Sequence, residues 1–345
     1  MSDSLFYHIS EKGELARVAT ADAALAAAKD GGFVWLYYCQ ATKEELSNLI
    51  EPLGLHPLSI EDCFDENEIP KIEDFPRSTF ILFNCFDYSN RELSIGEIDL
   101  FIGANFLVTV NLHNAQNCRL VDGIEHIVET NIERVRQGPS FLMHLILDHV
   151  VDQKFAAIEA LEDELDAVEG ALLADASSFN PAELIRFRRY LLSLRKSLFH
   201  EREILAKICR KDCPFIAEEA IFHYRDISDH LVRFFELTES YRDMVTSLME
   251  MYLSMLNNQM SKAANETNGT VRRLTIITTI FMPLTLLAGI GGMSEWSMMI
   301  GPENWRIGYP GFLIAMVVIG LGNYFLLKWL EKRSRRRDRP ATVNA

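Results

Sequence analysis

Two long uncharged stretches near the C-terminal end dominate the hydropathy pattern of this sequence. Residues 274–292 and residues 310–327 contain no Asp, Glu, Lys or Arg. As helices that rise 1.5 Å per residue, they would each reach about 27–28 Å, which is close to the ~30 Å hydrocarbon core of a bilayer. The pattern therefore predicts two transmembrane helices, joined by a loop over residues 293–309.

The residues that flank these stretches distinguish membrane spans from two buried helices of a soluble domain. Arg272 and Arg273 precede the first stretch, a basic segment (328–345) follows the second, and the loop contains only one basic residue, Arg306. This asymmetry predicts that both termini are cytoplasmic and that the loop is outside. Tryptophans also occupy the predicted interfaces, as in an aromatic belt: Trp296, Trp305 and Trp329.

The first 140 residues have the short, mixed pattern of an α/β domain. Alternating or apolar runs predict strands, and alanine-rich or Leu-rich segments predict helices. The expected strands lie within 31–39, 78–88 and 96–113, with a hairpin turn at Gly-Ala-Asn 103–105, and the expected helices within 21–30 and 43–54.

From Phe141 the pattern changes to long helices. Apolar residues recur every three or four positions from residue 141 to about 176, and a second helix follows a Ser/Asn cap region and Pro181. A third helix is expected to begin near Glu218 and to continue into the first membrane span. Helices of this length predict a bundle or oligomeric stalk over residues 141–273.

The overall charge of -15 hides a strong asymmetry along the chain. The part before Val271 carries -21, and the part from Val271 onward carries +6. An acidic body does not suit a nucleic-acid partner, but it suits a cytoplasmic domain that attracts cations and is attached to a bilayer. The sequence contains no phosphate loop, nucleophile elbow, HExxH or C-x-x-C motif, so we expect neither an enzyme nor a cofactor.

Several segments, in order along the chain, resemble the CorA family of divalent-cation channels. They are LHPLSIEDCFDENEIPKIEDF (55–75), EALEDELDAVE (159–169), LRKSLFHERE (194–203), YRDMVTSLMEMYLS (241–254) and LTIITTIFMPLTLLAGIGGM (274–293). The resemblance implies a funnel-shaped homopentamer with an α+β cytosolic domain, a stalk of long helices and two transmembrane helices. In that family the first membrane helix of each subunit lines a central pore.

The sequence departs from the family pattern at two places. Relatives close the pore helix with Y-G-M-N, whereas this chain has Gly291, Gly292, Met293 and Ser294. The stretch between residue 254 and Leu274 is also about seven residues longer than in familiar relatives, which is about two helical turns. Two added turns would lengthen the stalk and keep the same helix face toward the axis.

The resemblance maps the pore onto one row of small, polar or apolar residues. This row consists of Asn268, Val271, Leu274, Thr278, Met282, Thr285 and Gly289, followed by the selectivity motif Gly292-Met293-Ser294. At heptad spacing the same face is uncharged, although small residues at such intervals also serve ordinary packing between membrane helices.

An uncharged face of this kind suits an ion that keeps its water. Mg²⁺ dehydrates reluctantly, and hydroxyl and amide oxygens can hold its hydration shell. Tight Zn²⁺ binding requires His, Cys or carboxylate ligands, and none lies between Leu274 and Met293. A serine at 294 predicts a wider ring and weaker ion capture than an asparagine. Glu295 and Glu303 in the loop could concentrate cations, or they could be ordinary solvated carboxylates.

Three other groups are weaker candidates for ion interactions. The acidic run at 159–169 suits a cation-attracting funnel or a solvated helix face. A metal site on one helix is conceivable at His144, Asp148, His149 and Asp152, but structural hydrogen bonding explains these residues better. The resemblance implies a basic collar around the pore neck, and a lipid headgroup site is the alternative, for Lys328, Lys332, Arg333, Arg335, Arg336 and Arg337.

The sequence thus predicts a homopentameric divalent-cation channel of the inner (plasma) membrane. Mg²⁺ is the favoured ion, with Co²⁺ and Ni²⁺ as further substrates. The alternatives are a zinc or broad-range transporter and, in another class, a membrane-anchored structural or signalling protein that does not conduct. The predicted partners are other copies of the chain, the bilayer and divalent cations. Ion preference, regulatory residues and gating do not follow from the sequence.

Overall fold

The computed structural model describes residues 4–65, 68–112, 124–293, 301 and 304–337. Backbone contacts divide the chain into two compact units, residues 1–253 and 254–345. The first unit contains a mixed sheet with helices on both faces, and the second contains two long apolar helices.

The first unit is built on a seven-stranded sheet with the order β2-β1-β3-β7-β6-β5-β4. Its strands are β1 (Leu5–Ile9), β2 (Leu15–Val18), β3 (Phe33–Cys39), β4 (Lys71–Asp74), β5 (Thr79–Ser89), β6 (Glu92–Ile102) and β7 (Phe106–Asn111). Only β3 and β7 pair in parallel; the other neighbours are antiparallel. The predicted turn at 103–105 joins β6 to β7, where the Gly103 N–H donates to the Phe106 carbonyl at 3.0 Å.

Short helices cover one face of this sheet. They are α1 (Ala21–Ala27), α2 (Lys43–Ser47), α3 (Ile50–Leu53) and α4 (Pro57–Asp62). Their apolar residues pack on Leu36, Phe80, Leu82 and Val108 to form one core layer. The sequence predicted one helix over 43–54, but the structure has two, because α2 ends in a tighter turn in which the Leu49 N–H donates to the Leu46 carbonyl, three residues earlier, at 3.0 Å.

The three predicted long helices are present in the structure. Two short helices, α5 (Ile124–Thr130) and α6 (Ile132–Val135), precede α7 (Pro139–Ala174), α8 (Ala182–Cys209) and α9 (Ile221–Gly291). The first half of α7 covers the sheet face opposite to α1–α4, where it contacts β5 and β6. Because α9 runs without a break from Ile221 to Gly291, it passes from the first unit into the second.

Two helices are long and apolar enough to cross a membrane, as the sequence predicted. Their bounds are residues 218–291 and 306–329, and none of the most apolar 18-residue window of either is buried within the chain. The second lies in α10 (Trp305–Arg337), which begins before Pro310 and contains that proline. The loop between the two spans is therefore shorter than the predicted range 293–309.

Candidate functional site

The membrane part of α9 has one open side and one partly covered side. The residues of the predicted pore row are all exposed in the single chain: Asn268, Val271, Leu274, Thr278, Met282, Thr285 and Gly289. The partly covered residues form the other side of the helix: Ile276, Ile280, Pro283, Leu284, Leu287 and Gly291. The predicted pore row is therefore available for contact with something outside this chain.

The covered side of α9 packs against α10 through glycines. A Cβ on Gly320 would lie 3.4 Å from Leu284 Cδ1, and a Cβ on Gly291 would lie 2.7 Å from the ring of Phe312. The Phe312 ring therefore occupies the space that a side chain at 291 would need. The resemblance predicts an aromatic residue at this position; here the position is Gly291, and the ring of Phe312 from α10 lies against it.

The threonine hydroxyls on the open side have a defined hydrogen-bonding role. Thr275, Thr278 and Thr285 each donate their hydroxyl proton to the backbone carbonyl four residues earlier, at 2.8, 2.9 and 2.9 Å. Because the proton is used within the helix, the remaining lone pairs of Oγ1 are acceptors. The open face of α9 thus presents neutral hydrogen-bond acceptors between apolar side chains.

The predicted selectivity motif begins where α9 ends. The Gly292 N–H donates to the Ala288 carbonyl at 3.0 Å, and the Met293 N–H donates to the Ile290 carbonyl at 3.2 Å. Both residues are exposed, and Met293 keeps 55% of its surface accessible. Ser294, Glu295 and Glu303 lie outside the described residues.

The basic residues predicted to form a collar lie along the last turns of α10. The Lys328 ammonium lies 5.8 Å from the ring centre of Tyr324, and the Arg333 guanidinium lies 5.2 Å from that of Trp329. Lys332 is exposed. Arg335, Arg336 and Arg337 belong to the same helix, but their side chains fall outside the described part. Amphipathic aromatic rings and cations at one end of an apolar helix are typical of a membrane interface.

Comparison with known protein families assigns this chain to one of them. A family model described as "CorA-like Mg2+ transporter protein" matches residues 30–333. The chain belongs to this CorA family. The resemblance found in the sequence is thereby confirmed, and the chain is a member of a family of membrane transporters.

Several CorA proteins are similar to this chain over most of its length. The cobalt/magnesium transport protein CorA of Thermotoga maritima is 32% identical over 275 residues, which cover 79% of this chain and 75% of the relative. The putative metal ion transporter YfjQ of Bacillus subtilis is 30% identical over 302 residues, which cover 87% of this chain and 90% of the relative.

The solved CorA fold also matches. The complete structure of the CorA magnesium transporter from Methanocaldococcus jannaschii aligns with a TM-score of 0.68 at 21% identity, and the alignment covers 99% of this chain and 98% of the other. The predicted fold class is confirmed: an α+β domain, long helices and two apolar C-terminal helices.

In this CorA-family chain the acidic run at 159–169 is only partly free. The Glu164 carboxylate is held by the Tyr88 hydroxyl, by Arg91 Nε at 2.7 Å and by Arg186. These contacts, led by the Tyr88 hydrogen bond, outweigh burial and lower the pKa of Glu164. Glu164 therefore links the β5–β6 hairpin to α7 and α8, whereas Glu159 and Asp166 remain exposed.

The histidine and aspartate group on α7 is part of the packing between helices. The His144 ring lies 5.0 Å from His223 and 5.7 Å from Tyr224, both on α9. Burial, with a further effect from His223, lowers the pKa of His144 to about 4. Within the described ranges no three His, Cys, Asp or Glu side chains are arranged to hold a metal ion. His144 acts as a core aromatic residue in this structure.

A fully buried ion pair was not predicted. Lys154 Nζ lies 2.5 Å from Glu201 Oε2, and both side chains are 0% exposed. The ammonium also lies 3.9 Å from the ring centre of Phe83, and Glu201 accepts the Asn84 N–H at 3.0 Å. The sequence indicates that Lys154 is buried, because it stands in an apolar row of α7 at helical spacing. It does not indicate which residue of α8 pairs with it.

A pair of neighbouring acids on β6, the buried Asp99 and the half-buried Glu97, was also not predicted. Asp99 is 2% exposed, and Glu97 has the same side-chain direction two residues earlier on the strand. Burial is the main reason that the pKa of each is raised, and the neighbouring acid raises the pKa of Glu97 further. The nearby ammonium of Lys71 is already paired with Asp62 at 2.9 Å and Glu68 at 3.2 Å. The strand alternation of β6 already indicates that both acids share one face of the strand, on which Asp99 is buried.

Proposed function

We propose that this chain forms a homopentameric channel that passes hydrated divalent cations, with Mg²⁺ as the favoured ion. The observation that supports this most is the open face of α9 in a CorA-family chain. It is uncharged from residue 274 to residue 293, it is exposed along its whole length, and it lies on the side of the helix that α10 leaves uncovered.

The chemistry of that face suits an ion that retains its first hydration shell. Water molecules bound to Mg²⁺ point their protons outward, and the Oγ1 lone pairs of Thr278 and Thr285 accept such protons without competing for the metal. Five copies would give rings of acceptors. Leu274 and Met282 would form apolar rings between them, at which a narrow pore can close by losing its water.

The same residues favour magnesium over zinc as cargo. Zn²⁺ bound in its first shell requires Cys, His or carboxylate ligands, and residues 274–293 contain none. Co²⁺ and Ni²⁺ share with Mg²⁺ a hexahydrated form that an uncharged face can admit. A zinc or broad-range transporter is the second candidate, because the serine of the Gly-Met-Ser motif would make the selectivity ring wider than an asparagine does.

The proposed arrangement in the membrane follows from the distribution of charge. Residues 1–140 and 141–273 would form the cytosolic domain and stalk, and the segment after residue 327 would be a basic cytosolic tail. Both termini would be on the cytoplasmic side of the inner membrane. Glu295 and Glu303 would attract cations to the outer mouth. The lysines and arginines after residue 327 would form a collar near the cytosolic end of the pore.

The test is ion uptake into proteoliposomes that contain the purified chain. Dye-reported fluxes of Mg²⁺, Co²⁺, Ni²⁺ and Zn²⁺ would be compared for the wild type, Ser294→Asn and Ser294→Ala. We expect Mg²⁺ flux in the wild type and sharper discrimination among ions in Ser294→Asn, since an amide ring is narrower and has both a donor and an acceptor. The alanine variant removes the hydroxyl at nearly constant side-chain size and so reports what the hydroxyl itself contributes.

Each alternative has its own outcome in this experiment. Zinc flux without Mg²⁺ flux would assign the chain to the zinc-transporter candidate. No flux of any ion from a correctly assembled protein would leave only the non-conducting scaffold.

A further inference from the structure

Two exposed stripes of opposite charge lie on neighbouring helices of the first unit. The acidic stripe on α7 consists of Phe155, Glu159, Glu162, Asp166, Glu169 and Leu173. The basic stripe on α8 consists of Ile185, Arg189, Leu192, Lys196, Phe199 and Glu203. Each stripe repeats at intervals of three and four residues, so its members share one helix face.

The basic stripe faces away from the packing within the chain, whereas the acidic stripe borders α9, where the Phe155 ring stacks on that of Phe234 at 5.8 Å. The contact faces of these helices are buried and lie elsewhere, for example at Leu161 on α7 and Leu191 on α8. In the basic stripe, three large apolar residues seven positions apart are half or more exposed: Ile185 at 52%, Leu192 at 61% and Phe199 at 50%. A straight seam of this kind on a helix of 28 residues is typical of a helix that packs against another one.

Four charged residues of the stripes have no ion partner among the described residues of their own chain, whereas Glu162 lies beside the Tyr241 hydroxyl of α9. Where the structure describes the side chains, Glu159, Asp166, Arg189 and Lys196 form no salt bridge, whereas other acids and bases of these helices, such as Glu164, do. The two stripes are thus complementary in charge and equal in spacing, yet neither is used by the other within one protomer.

We propose that the basic stripe of one copy packs against the acidic stripe of the next copy around the ring. A contact between two different faces of identical chains is heterologous, and it closes only when it is repeated around a rotation axis. Each copy then uses both stripes once. This inference rests on the oligomeric assembly in the proposed function, and it identifies a contact surface of that assembly.

The expected register follows from the direction of the helices. Within the chain, Lys154 meets Glu201 and Glu164 meets Arg186, so α7 and α8 run antiparallel. Rotation about an axis roughly parallel to the helices preserves this direction and level in the next copy. In two antiparallel helices, the residue numbers of facing residues have a nearly constant sum. We therefore expect three contacts between copies: Arg189 with Asp166, Lys196 with Glu159, and Phe199 with Phe155.

Cysteine cross-linking of the full-length protein tests this register. Leu192→Cys and Glu162→Cys, placed together in one chain, should form disulfides between copies on mild oxidation. Because the contact is heterologous, the products should form a ladder of dimer, trimer and higher species on a non-reducing gel. The two single variants report the background from the natural cysteines. The pair Ser193→Cys with Glu162→Cys moves one thiol about 100° around α8 and is the matched control.

The expected result is at least about tenfold more cross-linked product in the double variant than in the control, on a protein that still conducts ions. If the protein conducts ions but the double variant forms no more cross-linked product than the single variants, the proposed contact is overturned and the channel assignment stays intact. A protein that neither oligomerises nor conducts would instead contradict the proposed function, so the two failures are distinguishable.

Charge reversal gives an independent test in the same cross-linking background. Arg189→Glu with Lys196→Glu should reduce the ladder about tenfold, and adding Glu159→Lys with Asp166→Lys should restore it, because the stripes then exchange signs. Arg17→Glu with Lys29→Glu is the control, since both are exposed bases outside the stripes. The proposal would be contradicted if charge reversal in α8 left the amount of cross-linked product unchanged. It would also be contradicted if the variant with all four substitutions did not restore that amount.

Discussion

At the scale of single residues, the most informative side chains are acids that the sheet has removed from water. Glu97 and Asp99 lie on the same face of β6, and a basic residue near them, Lys71, is occupied by other carboxylates. Two adjacent carboxyl groups, one buried and one half-buried, favour the protonated form. Their protonation is therefore coupled to the stability of the cytosolic unit.

This coupling predicts how stability depends on pH. Because the pKa values of Glu97 and Asp99 are raised in the folded chain, mainly by burial, the folded state binds more protons than the unfolded state. The stabilisation is complete below the ordinary carboxyl pKa and is lost as the pH rises through the raised values. The melting temperature of the wild type should fall along that range, and Glu97→Gln should make the fall shallower.

The control for this prediction is Glu92→Gln, an exposed glutamate on the same strand. Melting would be followed by circular dichroism on purified protein in detergent. A Glu97→Gln curve with the same pH slope as Glu92→Gln would show that the pair does not couple to folding.

At the scale of secondary-structure elements, the buried ion pair links three of them. Lys154 belongs to α7, Glu201 to α8, and the Asn84 and Phe83 groups that contact the pair belong to β5. Removing only one charge of such a pair leaves the other buried without compensation, which is far more costly than replacing both with apolar groups.

We expect Lys154→Ala to lower the free energy of unfolding by about 3–5 kcal/mol. The double variant Lys154→Met with Glu201→Leu should lose much less. Denaturant unfolding, followed through the fluorescence of the fully buried Trp35, would measure both. Lys43→Met serves as the control, because the Lys43–Glu61 pair is more than half exposed and should contribute at most about 1 kcal/mol. Equal losses in the single and double variants would mean that packing, rather than the unpaired charge, determines the cost.

At the scale of the whole molecule, the unbroken helix α9 is the element that spans the two units. Its segment between residue 254 and Leu274 is exposed apart from the half-buried Met255 and Leu256, and the family resemblance predicts that it is about seven residues longer than in relatives. Seven residues turn a helix by about 700°, which is about 20° less than two full turns. Seven additional residues would therefore change the length of the stalk and keep the orientation of the predicted pore-lining face.

Two deletions separate length from orientation. Removal of residues 261–267 should preserve ion flux in proteoliposomes, because the helix face stays within about 20° of its original direction. Removal of residues 261–265 should reduce flux strongly, because it rotates the part of α9 before the deletion by about 140° relative to the part after it. Similar flux in both deletion variants would show that the face of α9 need not be continuous through the stalk.

The sequence alone determined the features that depend on neighbouring residues. The two spans follow from uninterrupted apolar length, the hairpin at 103–105 and the helix end at Gly54 follow from local turn chemistry, and the family follows from its linear motifs. Gly54 has φ of 70°, a conformation that glycine adopts without strain. The predicted pore row was also a periodic pattern within one helix.

Only the tertiary structure decided which residues from distant parts of the chain meet. The sequence showed a lysine in an apolar row but not that Glu201 would neutralise it, and it showed an acidic run but not that Glu164 alone would be taken up by Arg91 and Arg186. The approach of the Phe312 ring to Gly291 is likewise a contact between helices. Such pairings depend on how helices and strands pack in space, and spacing along the chain does not encode them locally.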